Sequence, residues 1–156
     1  KNGLNVPVLV IKPKFDNRYS ENKIVSHDGL TVESLSVNTL SDIPEVDRNT
    51  VIFIDECQFF MEPYFDGDII EWVYGKMLQG NNIMVTGLDT DWESKPFIIT
   101  SKLLAMATEV TKITANCTVC GRDAKRTYKK TKSGGPVELG VDDIYESRCT
   151  EHWNCN

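Results

Sequence analysis

Thr50-Val-Ile-Phe-Ile-Asp55-Glu56 decides how this chain is read: a short unbroken apolar run that ends on two adjacent carboxylates. An apolar run rich in β-branched and aromatic residues, uninterrupted by polar ones, suits a parallel strand buried on both faces. The carboxyl ends of such strands are where open α/β sheets hold their ligands. Val6–Ile11, Ile83–Thr86 and Val110–Ala115 have the same character and are read as further strands. Between the second and third strands, Ile69, Ile70, Val73, Met77 and Leu78 recur at helical spacing within Asp66–Gly80, and Gly80 fits the helix end. Ile98–Thr108, after Pro96, reads as a second helix that returns to Val110. Strand, helix, strand is the parallel crossover unit, so the fold class is α/β with a mostly parallel sheet.

The chain has 156 residues, enough for one domain or for a main domain with a small accessory one. Hydrophobic residues make up 40% and charged residues 26%, a globular composition, and no apolar run approaches the roughly 18 residues of a membrane span. With 17 basic against 23 acidic residues the net charge is −6, which argues against a general nucleic-acid binder held by phosphate contacts. Lys1–Asn5 has no export-signal character. The chain lacks an initiator Met and enters its first apolar run within five residues, so it is expected to begin inside a longer protein.

Five cysteines, four of them in the last 40 positions, do not make an extracellular disulfide framework. Cys117-Thr-Val-Cys120 and Cys149-Thr-Glu-His152 are two C-x2-[CH] pairs, the spacing with which each pair grips one side of a tetrahedral zinc ion. A redox C-x-x-C or unpaired thiols are the alternatives, and Cys155 is the alternative to His152 as fourth ligand. Either way the setting is reducing and cytoplasmic. From Cys117 onward the pattern breaks into short segments around a basic stretch, Lys125–Lys132. A boundary is therefore placed between residues 1–114, the α/β core, and 115–156, a segment of about 40 residues that metal must help to hold. A closed four-ligand set makes this zinc structural.

The Asp55-Glu56 strand end looks like a Walker B element. Phosphoryl transfer from a nucleotide needs one carboxylate to hold Mg²⁺ and often another to orient or deprotonate the attacking oxygen. The bland reading is a strand leaving the core with its acids turned to water.

Context decides between them. Asp55-Glu-Cys-Gln-Phe-Phe60 is followed in order by Gly87-Leu-Asp-Thr-Asp-Trp92, Lys95-Pro-Phe97, Leu104-Ala-Met-Ala107, Thr114-Ala-Asn-Cys117 with Cys120, and Gly140 ahead of Tyr145 and Cys149. Together with Ile11-Lys-Pro, Asp16-Asn-Arg-Tyr19 and Ser26-His-Asp-Gly29, this collinear set resembles the zinc-containing type of the thymidine kinase family over nearly the whole chain. The resemblance implies a core similar to the RecA-like P-loop NTPase fold plus a C-terminal zinc-binding lasso domain. It implies transfer of the γ-phosphate of ATP to the 5′-hydroxyl of thymidine with Mg²⁺.

By motif position, Glu56 is then the catalytic base and Asp55 helps to hold Mg²⁺. Asp16, Asn17, Arg18, Cys57 and Gln58 fall on the nucleotide side, although Cys57 also reads as a small buried residue. Phe59, Leu88, Trp92, Phe97 and Thr127 fall on the nucleoside side, with Phe60 in the core. Pro136, Val137, Glu138, Leu139 and Gly140 are the part of the lasso that covers the base, with Tyr145 packed beside it. Four positions depart from the family pattern: Trp92 stands where Phe is common, Gly140-Val where Gly-Gly is common, His152 where Cys is usual, and Cys57 where Ala is common. Trp92 and the altered lasso pair Gly140-Val admit a broader deoxynucleoside preference. A homotetramer is implied by resemblance alone.

A kinase of this kind needs a phosphate loop, G-x-x-x-x-G-K-[ST], and these 156 residues contain none. The family pattern opens here at its second strand. The expectation is that the first strand, phosphate loop and first helix are missing from this chain, the alternative being a homologue that never had them. The polypeptide by itself is expected to have little or no kinase activity. Two readings from other classes stand beside the kinase: an inactive nucleoside-binding homologue, and a zinc-ribbon nucleic-acid module using Lys125, Arg126, Lys129, Lys130 and Lys132.

Overall fold

The computed structural model describes residues 6–15, 23–25, 31–131 and 144–153. They fall into two compact units, residues 1–88 and 89–156.

The first unit is built on a four-stranded parallel sheet. Its strands are β1 (Val8–Pro13), β4 (Leu35–Val37), β5 (Val51–Ile54) and β6 (Ile83–Val85), in the order β4-β1-β5-β6. Register is set by Ile11 opposite Leu35, by Val8 to Ile11 opposite Val51 to Ile54, and by Ile52 opposite Ile83. Ile11, Val37, Ile52 and Ile54 are fully buried, each worth about 1.5–3 kcal/mol of apolar transfer. A small antiparallel pair, β2 (Lys23–Val25) with β3 (Thr31–Glu33), precedes β4.

Helix α1 (Ile69–Leu78) makes the crossover from β5 to β6. Asp68 caps it, its carboxylate accepting from the amides of Ile70 at 3.0 Å and Glu71 at 3.1 Å, and Gly80 leaves it at φ +88°. Ile69 and Val73 carry its buried face. Buried Asn81 then donates Nδ2 to the carbonyls of Asp47 at 2.8 Å and Thr50 at 3.0 Å, so the helix exit is tied to the entry of β5.

The second unit contains α2 (Ile98–Met106) and two antiparallel pairs. These are β7 (Ala115–Asn116) with β8 (Asp123–Ala124), and β9 (Arg126–Lys129) with β10 (Tyr145–Arg148). The pairs are joined by Thr118 N–H to Ser147 O at 3.0 Å and by Ser147 Oγ to Asn116 O at 2.6 Å.

Two expectations are corrected here. Val110–Thr114 forms no strand: Ile113 is 91% exposed and Val110 47%, and only Ala115 and Asn116 pair, with β8. Branched residues favour extended backbone, but a strand exists only where a neighbour supplies the ladder. The fourth strand of the sheet is instead β4, where Leu35 and Val37 alternate with serine and β1 provides the pairing. The first strand also begins two residues later than its apolar run, and both Val6, outside it, and its first residue, Val8, are exposed.

Candidate functional site

The acidic end of β5 is held by its neighbours on both sides. Asp55 N–H donates to Ile11 O at 2.9 Å and Cys57 N–H to Thr86 O at 3.0 Å, so the sheet ladder runs past the strand into the carboxylates. Thr86 Oγ1 donates to Asp55 Oδ1 at 2.5 Å. Glu56 then takes a left-handed backbone, φ 52° and ψ 45°, which is unfavourable for a side chain of this size and is held by the structure around it. The turn Cys57–Phe59 follows.

Gln58, 1% exposed, fixes the Glu56 side chain. Its Oε1 accepts from Leu88 N–H at 3.0 Å, and its Nε2 donates to Glu56 Oε2 at 2.5 Å. Because a backbone amide can only donate, that contact sets which way the Gln58 amide faces, and the NH₂ is left to meet the carboxylate. Gly87 makes room for this arrangement: a β-carbon there would stand 2.5 Å from Cys57 Sγ and 2.7 Å from Gln58 Oε1. Phe59 is buried edge-on against Phe15 and Tyr64, with ring centroids 5.3 and 5.5 Å away, whereas Phe60 packs on Phe65 in the core. Cys57 is buried, and Leu88 is half exposed.

In the second unit a loop from Asp89 to Phe97 carries Trp92. Asp91 Oδ1 accepts from the amides of Glu93 and Lys95, both at 2.9 Å, Phe97 N–H donates to Asp89 O at 3.0 Å, and Ser94 sits at φ 62°. Lys112 at 2.5 Å holds the Asp89 carboxyl below its ordinary range. Lys129 lies 5.4 Å over the Trp92 ring. Phe97 is the N-cap of α2, and Thr127 and Tyr145 lie on β9 and β10 opposite Ser147 and Lys129. Of the basic stretch, Arg126 and Lys129 face the tryptophans of this unit.

The two C-x2-[CH] pairs converge. One ligand atom each from Cys117, Cys120, Cys149 and His152 lies within 4.8 Å of all the others. Sulfurs about 2.3 Å from a tetrahedral zinc stand about 3.8 Å apart, and a sulfur and a nitrogen about 3.6 Å apart. The distances are 3.8 Å for Cys120 to Cys149, and 3.7 and 3.2 Å from His152 Nδ1 to Cys117 and Cys149, so the donor set fits this ion. Burial opposes ionisation of Cys117, but the amides of Cys149, Val119 and Cys120 and the His152 ring outweigh it and bring the thiol down to about 5. Arg122, paired with Glu151, donates Nε–H to Cys120 Sγ at 3.4 Å and helps to lower that thiol. Burial raises Cys149, and the Cys117 and Cys120 thiols raise His152. Cys117, Cys149 and Ala124 form a small buried core of their own.

The structure therefore brings Asp55, Glu56, Cys57, Gln58, Phe59 and Leu88 together in the first unit. It brings the four metal-type ligands together in the second, which also carries Trp92, Phe97, Thr127 and Tyr145. Asp16, Asn17 and Arg18, the Ser26–Gly29 segment, Pro136, Val137, Glu138, Leu139 and Gly140, and Cys155 lie outside the described residues. Sequence reasoning missed Thr86, Gly87 and Trp153. Thr86 ends a predicted strand, Gly87 opens the Gly87–Trp92 motif, and Trp153 directly follows a predicted ligand, which are the local signals they offer.

Parallel sheet, acidic strand end and Cys3His cluster define an α/β protein with a site of the zinc type. The family model described as Thymidine kinase matches residues 2–153. The chain belongs to the thymidine kinase family, and its Cys3His cluster fits the zinc-containing type.

Proposed function

We propose that the protein is a thymidine kinase that transfers the γ-phosphate of ATP to the 5′-hydroxyl of thymidine, giving dTMP and ADP. The observation that carries this reading is the end of β5, where Glu56 is held in a left-handed backbone and clamped by Gln58, in a chain of this family. Glu56 is the base that accepts the hydroxyl proton. Phosphoryl transfer is largely dissociative and the proton leaves late, so the main demand on this carboxylate is orientation. The Gln58 amide meets that demand by holding one carboxylate oxygen with its Nε2 while its own Oε1 is anchored on the Leu88 amide.

Asp55, its Oδ1 tied to Thr86, is the hard oxygen ligand suited to Mg²⁺. When bound, that ion neutralises charge on the phosphates being transferred. Cys57 and Gln58, with Asp16, Asn17 and Arg18, are assigned to the phosphate side. Phe59, Leu88, Trp92, Phe97, Thr127, Tyr145 and residues 136–140 are assigned to the nucleoside side, all by motif position. Cys117, Cys120, Cys149 and His152 hold a structural zinc. A cytoplasmic homotetramer belongs to the same reading and is checked by light scattering and fractionation.

The test is Glu56→Gln in the intact protein, assayed with ATP, Mg²⁺ and thymidine. Turnover is expected to fall by about 10²–10⁴-fold, the usual worth of a positioned acid or base, with thymidine affinity retained. Near-normal turnover refutes the assignment of Glu56. A parent protein that, with the phosphate-loop segment restored, binds thymidine without turning it over is an inactive homologue, and one that binds oligonucleotides with a steep salt dependence is a nucleic-acid module.

A further inference from the structure

Trp153 follows the ligand His152 directly and reaches back to two distant segments of its unit. Its single indole N–H is shared between Thr127 O at 3.1 Å and Trp92 O at 3.3 Å. The Arg126 guanidinium lies 5.3 Å over the same ring while its Nη1 donates to Ser94 Oγ at 2.9 Å. One side chain thus ties β9 to the loop that carries Trp92, and Arg126 adds a second tie from β9 to that loop. The backbone that aims Trp153 is the ligand turn itself, with His152 N–H on Cys149 O at 3.1 Å and Arg148 Nη1 on His152 O at 2.9 Å. Glu146 in turn accepts from Arg148 Nε at 2.7 Å.

We propose that Trp153 is a positioning residue that couples metal occupancy at Cys117, Cys120, Cys149 and His152 to the conformation of the Asp89–Phe97 loop. With zinc bound, the turn 149–152 is fixed, the indole N–H is held at the Trp92 and Thr127 carbonyls, and the loop is ordered. Without zinc the turn is released, and the loop loses that anchor while keeping its own Asp91 contacts. The consequence for substrate rests on the reading of Trp92 and Thr127 as nucleoside-side residues: metal loss, or loss of the indole N–H, raises the thymidine KM more than it lowers kcat.

Hydrogen exchange of the loop amides, those of Glu93, Ser94, Lys95 and Phe97, tests the coupling without any substrate. In the zinc-loaded parent protein these amides are protected, and stripping the metal with a chelator lowers their protection by roughly fivefold or more, the net worth of about one hydrogen bond. Trp153→Phe keeps the ring and removes the donor. With zinc still bound it should show the loop already at the stripped level while Cys117 and Gly121 amides stay protected. Loop protection that ignores chelation in the parent protein overturns the proposal, and so does a zinc-loaded Trp153→Phe protein with parental loop protection. Should that variant fail to retain zinc, loop protection that ignores chelation in the parent protein still overturns the proposal. Altered exchange with an unchanged thymidine KM supports the coupling and refutes the placement of the Trp92 loop beside the nucleoside.

Discussion

Gly87→Ala tests whether the Glu56 carboxylate is aimed by packing from the end of the adjacent strand. Gly87 is not in a glycine-only backbone conformation, so the added methyl acts through space alone. It would stand 2.5 Å from Cys57 Sγ, 2.7 Å from Gln58 Oε1 and 3.1 Å from Cys57 N, when ordinary contacts begin near 3.4 Å. The relief needed is close to 1 Å. Cys57 and Gln58 are both buried and the Cys57 amide is bonded to Thr86 O, so it is the two side chains, Cys57 Sγ and Gln58 Oε1, that must give way. Moving Oε1 unpairs Leu88 N–H and withdraws Nε2 from Glu56. Overpacking of this kind costs about 1–3 kcal/mol, and an unpaired amide adds about 1–3 kcal/mol where water cannot reach it. Because Leu88 is half exposed, the total should fall at the lower end, about 2–3 kcal/mol, read as a lower urea midpoint at unchanged slope. Misplacing a catalytic group by about 1 Å costs on the order of 10²-fold in rate. Turnover measured well below the unfolding transition should therefore fall about 100-fold with thymidine affinity retained. A variant that loses stability but keeps parental kcat in its folded fraction would refute the clamp, and one that loses neither would refute the packing argument itself.

Gln58→Glu keeps the acceptor for Leu88 N–H but places a second carboxylate against Glu56. The pair should then hold a proton to higher pH, and the acidic limb of the pH–rate profile should move up by a unit or more relative to the parent. His152→Cys should keep about one zinc per chain, whereas His152→Ala combined with Cys155→Ala should give zinc up to a chelator faster, as followed by a colorimetric zinc indicator. Asp42 accepts from the amides of Asn38 at 2.8 Å and Thr39 at 3.0 Å, and these contacts hold its carboxyl below the usual value. Its contribution to stability is complete above the unfolded value of about 4 and is lost as pH falls through the lower folded value. The gap in urea midpoint between the parent protein and Asp42→Asn should accordingly be present at pH 7 and shrink as pH falls below the unfolded value of about 4.

The features legible in the sequence are those whose cause is local. Val51–Ile54 reads as a strand because no polar residue interrupts it, and α1 because its apolar spacing, Asp68 and Gly80 agree. The metal cluster reads from two pairs of fixed spacing, each closed by its own turn. β4 was not legible, since three residues with one serine between two apolar ones become a strand only when β1 lies alongside. Val110–Thr114 failed in the opposite sense, having the composition of a strand but no ladder to join. The Gln58 clamp needs an amide thirty positions on, and the Trp153 anchor needs a carbonyl sixty-one positions back, so neither has a spacing that could announce it.

The same contrast separates the residues proposed to do chemistry from those proposed to aim them. Asp55 and Glu56 stand out as candidates from type and place, an acidic pair at the carboxyl end of a buried strand, although a strand leaving the core with its acids turned to water has the same signature. Left-handed backbone at Glu56 is a cost that the strand end does not require, since a chain leaving β5 for the turn at Cys57–Phe59 could have carried glycine there. Keeping glutamate means that its surroundings hold it, and the groups that do so are Thr86 O on the Cys57 amide, Gln58 on the carboxylate, and Gly87 making space for both. All three converge from β6 and the turn onto one side chain. A surface acid at a strand end would need none of them, which is why the aiming of Glu56, more than its presence, favours catalysis over solvation.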